Sequence, residues 1–508
     1  MWDAIVIGSG IGGLAAAAAL AKSDRRVLVL EQHRLAGGLT QTFKRHGWTF
    51  SPGVHYIGGV GPDAGAEGQF GRLLAWLSND ALRFECSANP YDIVHLPGFE
   101  FGIEHPESAF SAALLARFPE QRAAIDRWFL ACDEARGSAQ ALFALHSMPS
   151  WLGWGLRVWR GAKDHQWATR TLGDELAKIE DPQLQAVLGA RWADYGALPV
   201  KAPFAEHALV TGSYNAGSYY PVGGPVRFAQ TLIPVIEAAG GSVELGAAVK
   251  QILTEDGRVR GVAYEQGGAL KEAQAPQVIS AMGVANTVAC LSPDLAPEWQ
   301  ESVGALAPGL VCVSLFIGLE GDVAAAGASS ANHWIYESND ISMTWQQPRH
   351  EDAPSFFVSF PSQKESGNQG KPTAEVVAVL DAAVFAPWLA LPDDKRTPEY
   401  LALKDQIKER LLVQFLRHFP GLGPMVRFCE LATPLTQRRY VRSAGGAMYG
   451  VEMTSERLAS PALHVHTPLP GLTLAGQDVT SPGVAGAFMG GLLGAANIEP
   501  TIWANLRG

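Results

Sequence analysis

Several features that commonly point to a function are scarce or absent in this chain of 508 residues. Its five cysteines are scattered and form no CxxC pair, which argues against a disulfide framework, a zinc site or a redox dithiol and fits a reducing compartment such as the cytoplasm. No uninterrupted apolar run reaches the ~18 residues that a membrane-spanning helix needs, and no charged leader with a cleavage site precedes the first predicted strand. The sequence therefore predicts a cytoplasmic protein that is soluble or peripheral to a membrane.

The charge balance excludes another class of function. With 39 basic and 50 acidic residues, the net charge is −11, so we expect no nucleic-acid partner. No metal-ligand spacing and no Ser/His/Asp set stands out, so no metal site is predicted. Hydrophobic residues at 47% and charged residues at 18% are typical of a globular protein, and the length favours two domains or one elaborated α/β unit.

What the chain does have is a glycine-rich turn between a buried strand and a helix at its start. Residues 3–7 (DAIVI) predict a parallel strand, and the run GSGIGG with Gly8, Gly10, Gly12 and Gly13 follows it before an alanine-rich helix. Gly8 permits a tight turn, Gly10 lets the backbone approach a pyrophosphate, and Gly13 lets the helix pack on the strand. The free N–H groups at the start of the helix would face the phosphates.

A second strand follows and ends in an acid about twenty residues after the glycines. The carboxylate of Glu31 can accept hydrogen bonds from a ribose diol. Strand, glycines, helix, strand and acid in this order predict a dinucleotide-binding unit. The doublet Gly37-Gly38 then completes an E-x5-GG pattern, which resembles the motif of FAD enzymes built like glutathione reductase.

Several later stretches fit the same fold. Residues 243–265 predict two strands joined by an Asp256-Gly257 turn, and residues 276–283 predict a strand that returns to the cofactor domain. By resemblance to those flavoproteins, LTLAGQDV (472–479) is expected to be a final strand that carries Gln477 and Asp478 to the pyrophosphate–ribityl region. Gly483 and Val484 would open a helix whose amides face the flavin pyrimidine edge.

A more specific resemblance extends over nearly the whole chain. It rests on GWTFSPGVHYIGG (47–59), RWADYGALP (191–199), GSYYPVGGPVRFAQTLIPVIEAAGG (217–241), SFPSQK (359–364), ATPLTQRRY (432–440) and AGQDVTSPGVAGAFMGG (475–491). These motifs are similar to those of the retinol saturase and carotenoid isomerase branch of the phytoene-desaturase-type flavoproteins.

The resemblance implies an FAD-dependent oxidoreductase that acts on the C=C bonds of a long apolar polyene or lipid. Saturation, desaturation and cis/trans isomerisation, by hydride exchange at flavin N5, all remain open, as do retinoid, carotenoid, other terpenoid and unsaturated acyl substrates. The chain contains no second GxGxxG unit for NAD(P)H and no redox cysteine pair. Electrons therefore arrive by another route, or the reaction involves no net redox change.

The implied fold class is α/β, with a discontinuous glutathione-reductase-type FAD-binding Rossmann-like domain and an inserted α+β substrate domain. The FAD-binding domain is predicted to comprise residues 1–98, 218–290 and 455–508. The substrate domain would comprise residues 99–217, which look largely helical, and 291–454, which look like strands plus a helix at 405–419.

Candidate catalytic residues are weighed against ordinary packing roles. His55 and Tyr56 lie in a glycine-rich loop that passes near the flavin in the family, and His is suited to proton delivery near neutral pH. Tyr440 follows ATPLTQRR and would line the substrate pocket. Weaker candidates for a catalytic role are three pairs of residues that are neighbours in sequence, namely Tyr219-Tyr220, Glu206-His207 and Arg438-Arg439.

Two other functions are compatible with this predicted fold. A non-catalytic prenyl- or lipid-binding protein, as in the GDP-dissociation inhibitors, and a flavin amine oxidase or hydroxylase use the same architecture.

Residues 145–167 contain four tryptophans and three basic residues, and their one acid is Asp164 near the end of the stretch. Such a segment could contact a membrane interface or pack into the substrate domain. The oligomeric state is left open.

Overall fold

The computed structural model describes residues 1–61, 68–146, 166–368, 370–392 and 396–506. The strands are β1 (Ala4–Ile7), β2 (Val27–Glu31), β3 (Phe43–Arg45), β4 (Trp48–Phe50), β5 (Phe84–Cys86), β6 (Asp92–Leu96), β7 (Phe99–Ile103), β8 (Tyr219–Pro221), β9 (Ser242–Leu245), β10 (Ala247–Glu255), β11 (Arg258–Gln266), β12 (Ala269–Gln274), β13 (Val278–Ser280), β14 (Val311–Leu319), β15 (Asn332–Tyr336), β16 (Ser355–Ser359), β17 (Thr373–Leu380), β18 (Val426–Ala432) and β19 (Leu472–Leu474). The helices are α1 (Ile11–Ala21), α2 (Gln69–Ser78), α3 (Glu107–Arg117), α4 (Arg122–His146), α5 (Leu172–Leu176), α6 (Pro182–Gly189), α7 (Phe204–Gly212), α8 (Arg227–Ala238), α9 (Val284–Ala289), α10 (Pro297–Gly304), α11 (Ala386–Leu389), α12 (Pro398–His418), α13 (Pro434–Val441), α14 (Ser455–Ala459), α15 (Gly483–Ile498) and α16 (Trp503–Leu506).

A parallel five-stranded sheet gathers segments from both ends of the chain, in the order β19-β13-β1-β2-β9. Ile5 lies opposite Val278 on one side and Leu28 on the other. β1 and β2 are buried along their whole length, and the cluster that buries them includes residues of α1 and of the strands β10 and β11. The predicted strand–helix–strand unit and the return strand at 276–283 are confirmed.

The first and last long helices pack against each other through glycines. A Cβ on Gly491 of α15 would lie 2.1 Å from the Gly12 carbonyl oxygen of α1, and one on Gly490 would lie 2.1 Å from the Gly476 carbonyl oxygen. Only residues without a Cβ allow backbones to approach this closely. The late glycines therefore dock the end of the chain onto its start.

A three-stranded antiparallel meander follows the parallel sheet, in the order β10-β11-β12. Asp256 and Gly257 both have positive φ and join β10 to β11, so the predicted hairpin is confirmed. β19 is shorter than predicted, because it ends at Leu474 and leaves Asp478 in the turn beyond it.

A seven-stranded mixed sheet forms the second layer, in the order β18-β14-β17-β16-β15-β6-β7. One face of this sheet shares a core with the helical region, through residues such as Trp334 and Trp192. The other face packs against α12, where Ile335 and Ile407 belong to one cluster. The helix predicted at 405–419 is confirmed and begins earlier, at Pro398.

The hairpin of β6 and β7 pairs across residue 98, where the sequence predicted a domain boundary. Both strands belong to the seven-stranded sheet, and β7 adds a strand to a segment expected to be largely helical. The domain boundaries themselves stay a prediction.

Most of the tryptophan-rich segment at 145–167 lies outside the described residues. Its last member, Trp167, is described, and its ring packs 5.7 Å from that of Phe204 in the buried core. Within the part of the chain that the structure describes, no helix combines the length and apolar character needed to cross a bilayer.

Candidate active site and dinucleotide cavity

The glycines after β1 divide into two groups by what surrounds them. A Cβ on Gly13 would lie 1.9 Å from the Gly8 carbonyl oxygen, and one on Gly12 would lie 2.7 Å from the Ala487 carbonyl oxygen. These two glycines hold α1 against β1 and α15. A Cβ on Gly10 would meet no protein atom within 4 Å, so this position faces open space.

The Gly37-Gly38 doublet is placed beside the first glycine turn. Gly10 and Gly37 form an isolated parallel β-bridge, and the Gly37 amide donates to the Ser9 carbonyl oxygen at 3.0 Å. Gly37 has φ +112°, a conformation that side chains other than glycine rarely adopt. A loop 28 residues downstream thus closes onto the first turn.

Glu31 lies at the end of β2 and is buried. Its Oε2 accepts hydrogen bonds from the Ser9 amide at 2.8 Å and the Ser9 hydroxyl at 2.7 Å. Its Oε1 accepts one from the His33 amide at 2.7 Å. The carboxylate therefore shapes the glycine turn, and each oxygen keeps further acceptor capacity toward a bound ribose.

Asp478 joins the late segment to two other parts of the chain. Its Oδ2 accepts a hydrogen bond from the Val284 amide at the start of α9, at 2.9 Å, and its Oδ1 accepts one from the Val451 amide at 3.3 Å. A Cβ on Gly450 would lie 2.5 Å from Asp478 Oδ1. This aspartate therefore holds three segments together at the cavity wall.

These elements enclose a cavity of about 420 Å³. The predicted residues on its wall are Gly8, Gly10, Glu31, Gly38, Tyr440, Gln477 and Asp478. Gly12, Gly13, Gly37, Gly483 and Val484 support the wall from behind or lie at the start of α15, and are not among the described residues that line it. Lys250 and Arg442 contribute positive charge to the same wall.

The residues present fit a dinucleotide. Gly10 lines the cavity and would accommodate a Cβ without touching the protein, so the absence of a side chain there is not required for packing. Backbone amides at the start of α1 and basic side chains on the wall suit a pyrophosphate, and a carboxylate at the end of β2 suits a ribose.

A second cavity, of about 100 Å³, adjoins the first and shares Leu39, Gln437 and Met448 with it. Its wall is mainly aromatic and apolar. Its other lining residues are Pro52, Gly53, His55, Tyr56, Trp192, Ala193, Asp194, Cys312, Ser314, Trp334, Tyr336, Ser355, Phe356, Phe357, Val377, Val379 and Tyr449. A ligand in this cavity would lie next to one end of a dinucleotide in the larger one.

His55 and Tyr56 both line the smaller cavity, so the structure brings these two predicted residues together. The Nδ1 atom of His55 lies 3.2 Å from Glu375 Oε2, although the angle does not meet the criteria for a hydrogen bond. The His55 ring packs 5.1 Å from that of Phe357. His55 is thus held between an acid and an aromatic ring.

Tyr56 belongs to a buried polar cluster. Its hydroxyl donates to Asp194 Oδ2 at 2.8 Å and lies 3.4 Å from Asp92 Oδ2. Burial, followed by the charge of Asp194, raises the pKa of the Tyr56 phenol well above its ordinary value. Burial, followed by the charge of Asp92, raises the pKa of the Asp194 carboxyl to about 7.

Tyr440 is not brought together with His55 and Tyr56. It lies on the wall of the larger cavity, where its ring packs 5.5 Å from that of His33 and its carbonyl oxygen accepts from Gln32 Nε2. The reason is that α13 runs past the end of β2, on the Glu31 side of the cavity. The neighbouring Arg438 donates to the carbonyl oxygens of Leu389 and Leu391 and serves packing.

The adjacent residues Glu206 and His207 face different partners and form no acid–base pair. Glu206 is fully buried, accepts a hydrogen bond from Ser481, and has a pKa that burial raises to about 7. His207 lies 3.1 Å from the Tyr195 hydroxyl, and burial lowers its pKa to about 3.

Tyr219 and Tyr220 are also packing residues. They lie in β8, which pairs with β5, and both side chains are buried. Neither is among the described residues that line the two cavities.

Sequence reasoning missed the charged residues behind the smaller cavity, which are Asp92, Arg191, Asp194 and Lys364. Arg191 and Asp194 lie in RWADYGALP, and Lys364 ends SFPSQK, so both motifs were singled out without a role for their charges. A signal was present, because charged residues inside apolar segments of a protein core are rarely there without a partner.

Comparison with known proteins identifies the family. Residues 6–70 match the model of the NAD(P)-binding Rossmann-like domain. The chain is 33% identical to the all-trans-retinol 13,14-reductase of Rattus norvegicus, over 99% of this chain and 87% of that protein. It is 28% identical to the chloroplastic prolycopene isomerase of Arabidopsis thaliana, over 89% of this chain and 74% of that protein.

Solved structures agree on the fold. Cyclohexylamine oxidase from Brevibacterium oxydans IH-35A has a TM-score of 0.62 and 17% sequence identity, with 100% of this chain and 99% of that chain covered. A likeness at this identity speaks for the fold alone, and it confirms the predicted dinucleotide-binding α/β class. The similarity in sequence shows the family and the class of reaction. The chain belongs to the all-trans-retinol 13,14-reductase family and is an oxidoreductase that acts on carbon–carbon double bonds.

Proposed function

We propose that this protein binds FAD and uses it to saturate one C=C bond of a long apolar polyene. The observation that carries the proposal is the junction of the two cavities at Leu39, Gln437 and Met448. A dinucleotide that fills the larger cavity would present one end to a compact aromatic pocket. Its aromatic and apolar wall suits a planar segment of such a chain, because about 100 Å³ holds only part of a long polyene.

FAD is favoured over NAD(P) by the way the cavity is closed. The E-x5-GG spacing of Glu31 and Gly37-Gly38 resembles that of FAD enzymes, and the late segment with Gln477 and Asp478 completes the wall. When bound, a flavin supplies hydride exchange with the substrate. The protein's own residues orient the ligand and exclude water.

Retinoids are the first substrates to test, because the reductase relatives are the more similar ones and are named for retinol. Isomerisation is the second candidate, favoured by the similarity to prolycopene isomerase. The lipid-carrier and amine-oxidase alternatives are not favoured. The former leaves the dinucleotide cavity without a purpose, and the latter has support from the fold only.

The experiment combines a spectrum with a product analysis. We expect protein reconstituted with FAD to show bound-flavin absorption after gel filtration. The reduced holoenzyme, mixed anaerobically with all-trans-retinol, should reoxidise and yield a product heavier by two hydrogens. A product of unchanged mass with altered double-bond geometry would favour isomerisation. Protein that retains no flavin at all would contradict the proposal.

We further propose that the segment 145–167 contacts a membrane, so that an apolar substrate enters without crossing water. The support is its composition alone, which includes Trp151, Trp154 and Arg157. Wild-type protein should float with anionic vesicles, and a Trp151→Ala/Trp154→Ala/Arg157→Glu variant should float less with its flavin retained. Wild type that stays in the soluble fraction at low salt would refute this contact.

A further inference from the structure

The smaller cavity adjoins a group of ionisable side chains, of which Asp194 lines its wall and Asp92 and Arg191 are buried beside it. We propose that Asp194 is the catalytic acid that protonates the substrate carbon, with Tyr56 as the residue that positions its carboxyl group. This inference rests on the proposed function, because it names the proton donor for the saturation of a C=C bond.

Asp194 lies on the wall of the cavity that the proposed substrate would occupy. Asp194 and Tyr56 both line the smaller cavity, and Asp194 is partly buried there. The 2.8 Å hydrogen bond from the Tyr56 hydroxyl fixes one carboxyl oxygen. The Tyr56 ring is itself stacked on Tyr214, with centroids 4.6 Å apart, and on Phe357, with centroids 6.3 Å apart. The carboxyl group is therefore held by a side chain that cannot easily move.

The second carboxylate of the cluster, Asp92, is better supplied with groups that favour its ionised form. Its Oδ1 accepts a hydrogen bond from Asn332 Nδ2 at 3.1 Å, and its Oδ2 lies 4.0 Å from Arg191. Asn332 in turn accepts a hydrogen bond from Lys364 Nζ at 2.6 Å. Asp92 is fully buried and does not line the cavity.

Two neighbouring carboxyl groups whose surroundings differ in this way divide the roles of anion and acid. Burial raises the pKa of the Asp92 carboxyl as well, and the charge of Arg191 and the hydrogen bond from Asn332 counteract that rise. A negative charge on Asp92 makes a second charge on Asp194 costly. Burial and this neighbouring charge raise the pKa of Asp194 to about 7. That value suits a general acid that works near neutral pH. The other ionisable groups facing Asp194 are Tyr91, Tyr195, Tyr214, Tyr336, Tyr449 and Arg191.

The other donors on the cavity wall are less suited to the step. Burial raises the pKa values of Tyr56, Tyr336 and Tyr449 well above that of a free phenol, so these side chains release a proton less readily. His55, whose Nδ1 lies 3.2 Å from Glu375 Oε2, also lines the cavity, and its variant tests it as the competing donor.

Saturation of the double bond requires one hydride and one proton. A hydride, which a reduced flavin provides with its electron pair, forms a C–H bond to one carbon of the double bond. The π electrons of that bond take the proton of Asp194 at the other carbon, so a second C–H bond forms and the O–H bond of the carboxyl group breaks. Asp194 is left as a carboxylate and is reprotonated from water. The substrate gains two hydrogens, and the flavin is oxidised by two electrons.

The test compares Asp194→Asn with the same chemical change at Asp126, an exposed residue of α4. Asparagine keeps an oxygen that can accept from the Tyr56 hydroxyl but has no proton to transfer. We expect Asp194→Asn holoenzyme to lose about 100-fold or more of its rate of saturation, with normal flavin content and thermal stability. Asp126→Asn should match the wild type. An Asp194→Asn enzyme that saturates the polyene at the wild-type rate would overturn the proposal.

A second readout does not depend on turnover. Infrared difference spectra of the wild-type holoenzyme should show a carboxyl group that titrates near pH 7 and is lost in Asp194→Asn. Asp92→Asn removes the like charge and should move this titration, and the alkaline limb of the rate profile, to lower pH. Tyr56→Phe removes a hydrogen bond to the carboxylate and should move both to higher pH. Shifts in any other direction would contradict the assigned roles.

The outcomes separate this inference from the proposed function. If the wild-type holoenzyme consumes polyene and Asp194→Asn does so equally well, only the role of Asp194 is wrong. If reduced wild-type holoenzyme leaves every polyene unchanged, the proposed function is wrong, and the inference that depends on it falls as well.

Discussion

The two cavities of this protein are built by different means. The wall of the larger cavity includes the turns that follow the parallel strands, where Gly8, Gly10 and Gly476 lie. The wall of the smaller cavity consists of large side chains that come from many separate segments, such as Trp192, Trp334 and Tyr449. A site made of backbone is specified by a local motif, whereas a site made of side chains is specified by how distant segments meet.

This contrast can be tested first within the glycine turn, where we expect the largest effect. A valine at position 13 would force a Cβ to within 1.9 Å of a backbone oxygen, so Gly13→Val should lower the free energy of unfolding by at least about 3 kcal/mol. A valine at position 10 would meet no protein atom within 4 Å and should leave stability unchanged while abolishing flavin binding. Chemical denaturation without cofactor and a flavin titration measure the two effects. Equal losses of stability would show that Gly10 also serves packing.

The hydrogen bond between Ser481 and Glu206 joins α7 to the turn before α15, and the burial of Glu206 predicts a dependence of stability on pH. The pKa of Glu206 is raised to about 7 in the folded protein, above its ordinary value of 4.5, so the folded state holds this proton more tightly. The resulting contribution of Glu206 to the free energy of unfolding is fully present below about pH 4.5 and is lost as the pH rises through about 7. It amounts to about 3 kcal/mol.

Glu206→Gln should therefore flatten this decline. Urea unfolding at pH 5 and pH 8 measures it, and the difference between the two pH values should be smaller in the variant than in the wild type. A variant with the same difference as the wild type would mean that Glu206 is already ionised in the folded protein.

A variant at Glu31 tests whether FAD binding in the larger cavity depends on one side chain. Glu31→Ala removes the acceptor for a ribose and should weaken FAD binding by about 1–3 kcal/mol. Because Glu31 also accepts from Ser9, Ser9→Ala serves as the control for the loop contact, and we expect it to cost less. Fluorescence titration with FAD measures both. Unchanged affinity in Glu31→Ala would remove this residue from the cofactor site.

A variant at His55 tests the smaller cavity, and we expect it to have the smallest effect. His55→Ala should lower turnover while flavin content stays intact, because the ring forms part of the cavity wall. The loss should be smaller than the about 100-fold that accompanies removal of a proton donor. A larger loss would transfer the role of acid from Asp194 to His55, and unchanged turnover would make His55 a packing residue.

The strand–glycine–helix unit, the Asp256-Gly257 hairpin and the helix after Pro482 were all predictable, because each depends on neighbours within about twenty residues of sequence. The E-x5-GG pattern likewise placed Glu31 and Gly38 on one cavity wall. Element ends were less predictable. β19 stops at Leu474 because the chain must turn there to carry Asp478 toward Val284 and Val451.

The amino-acid sequence by itself determined the dinucleotide fold and the family, since spacing along one strand and one helix fixes where a turn and its free amides lie. Only the tertiary structure decided which side chains meet at the smaller cavity. It separated Tyr440 from His55 and turned Glu206 away from His207. It also brought Asp194 to Tyr56 across 138 residues of chain. Such meetings depend on the pairing of distant strands and helices, and no local pattern contains that information.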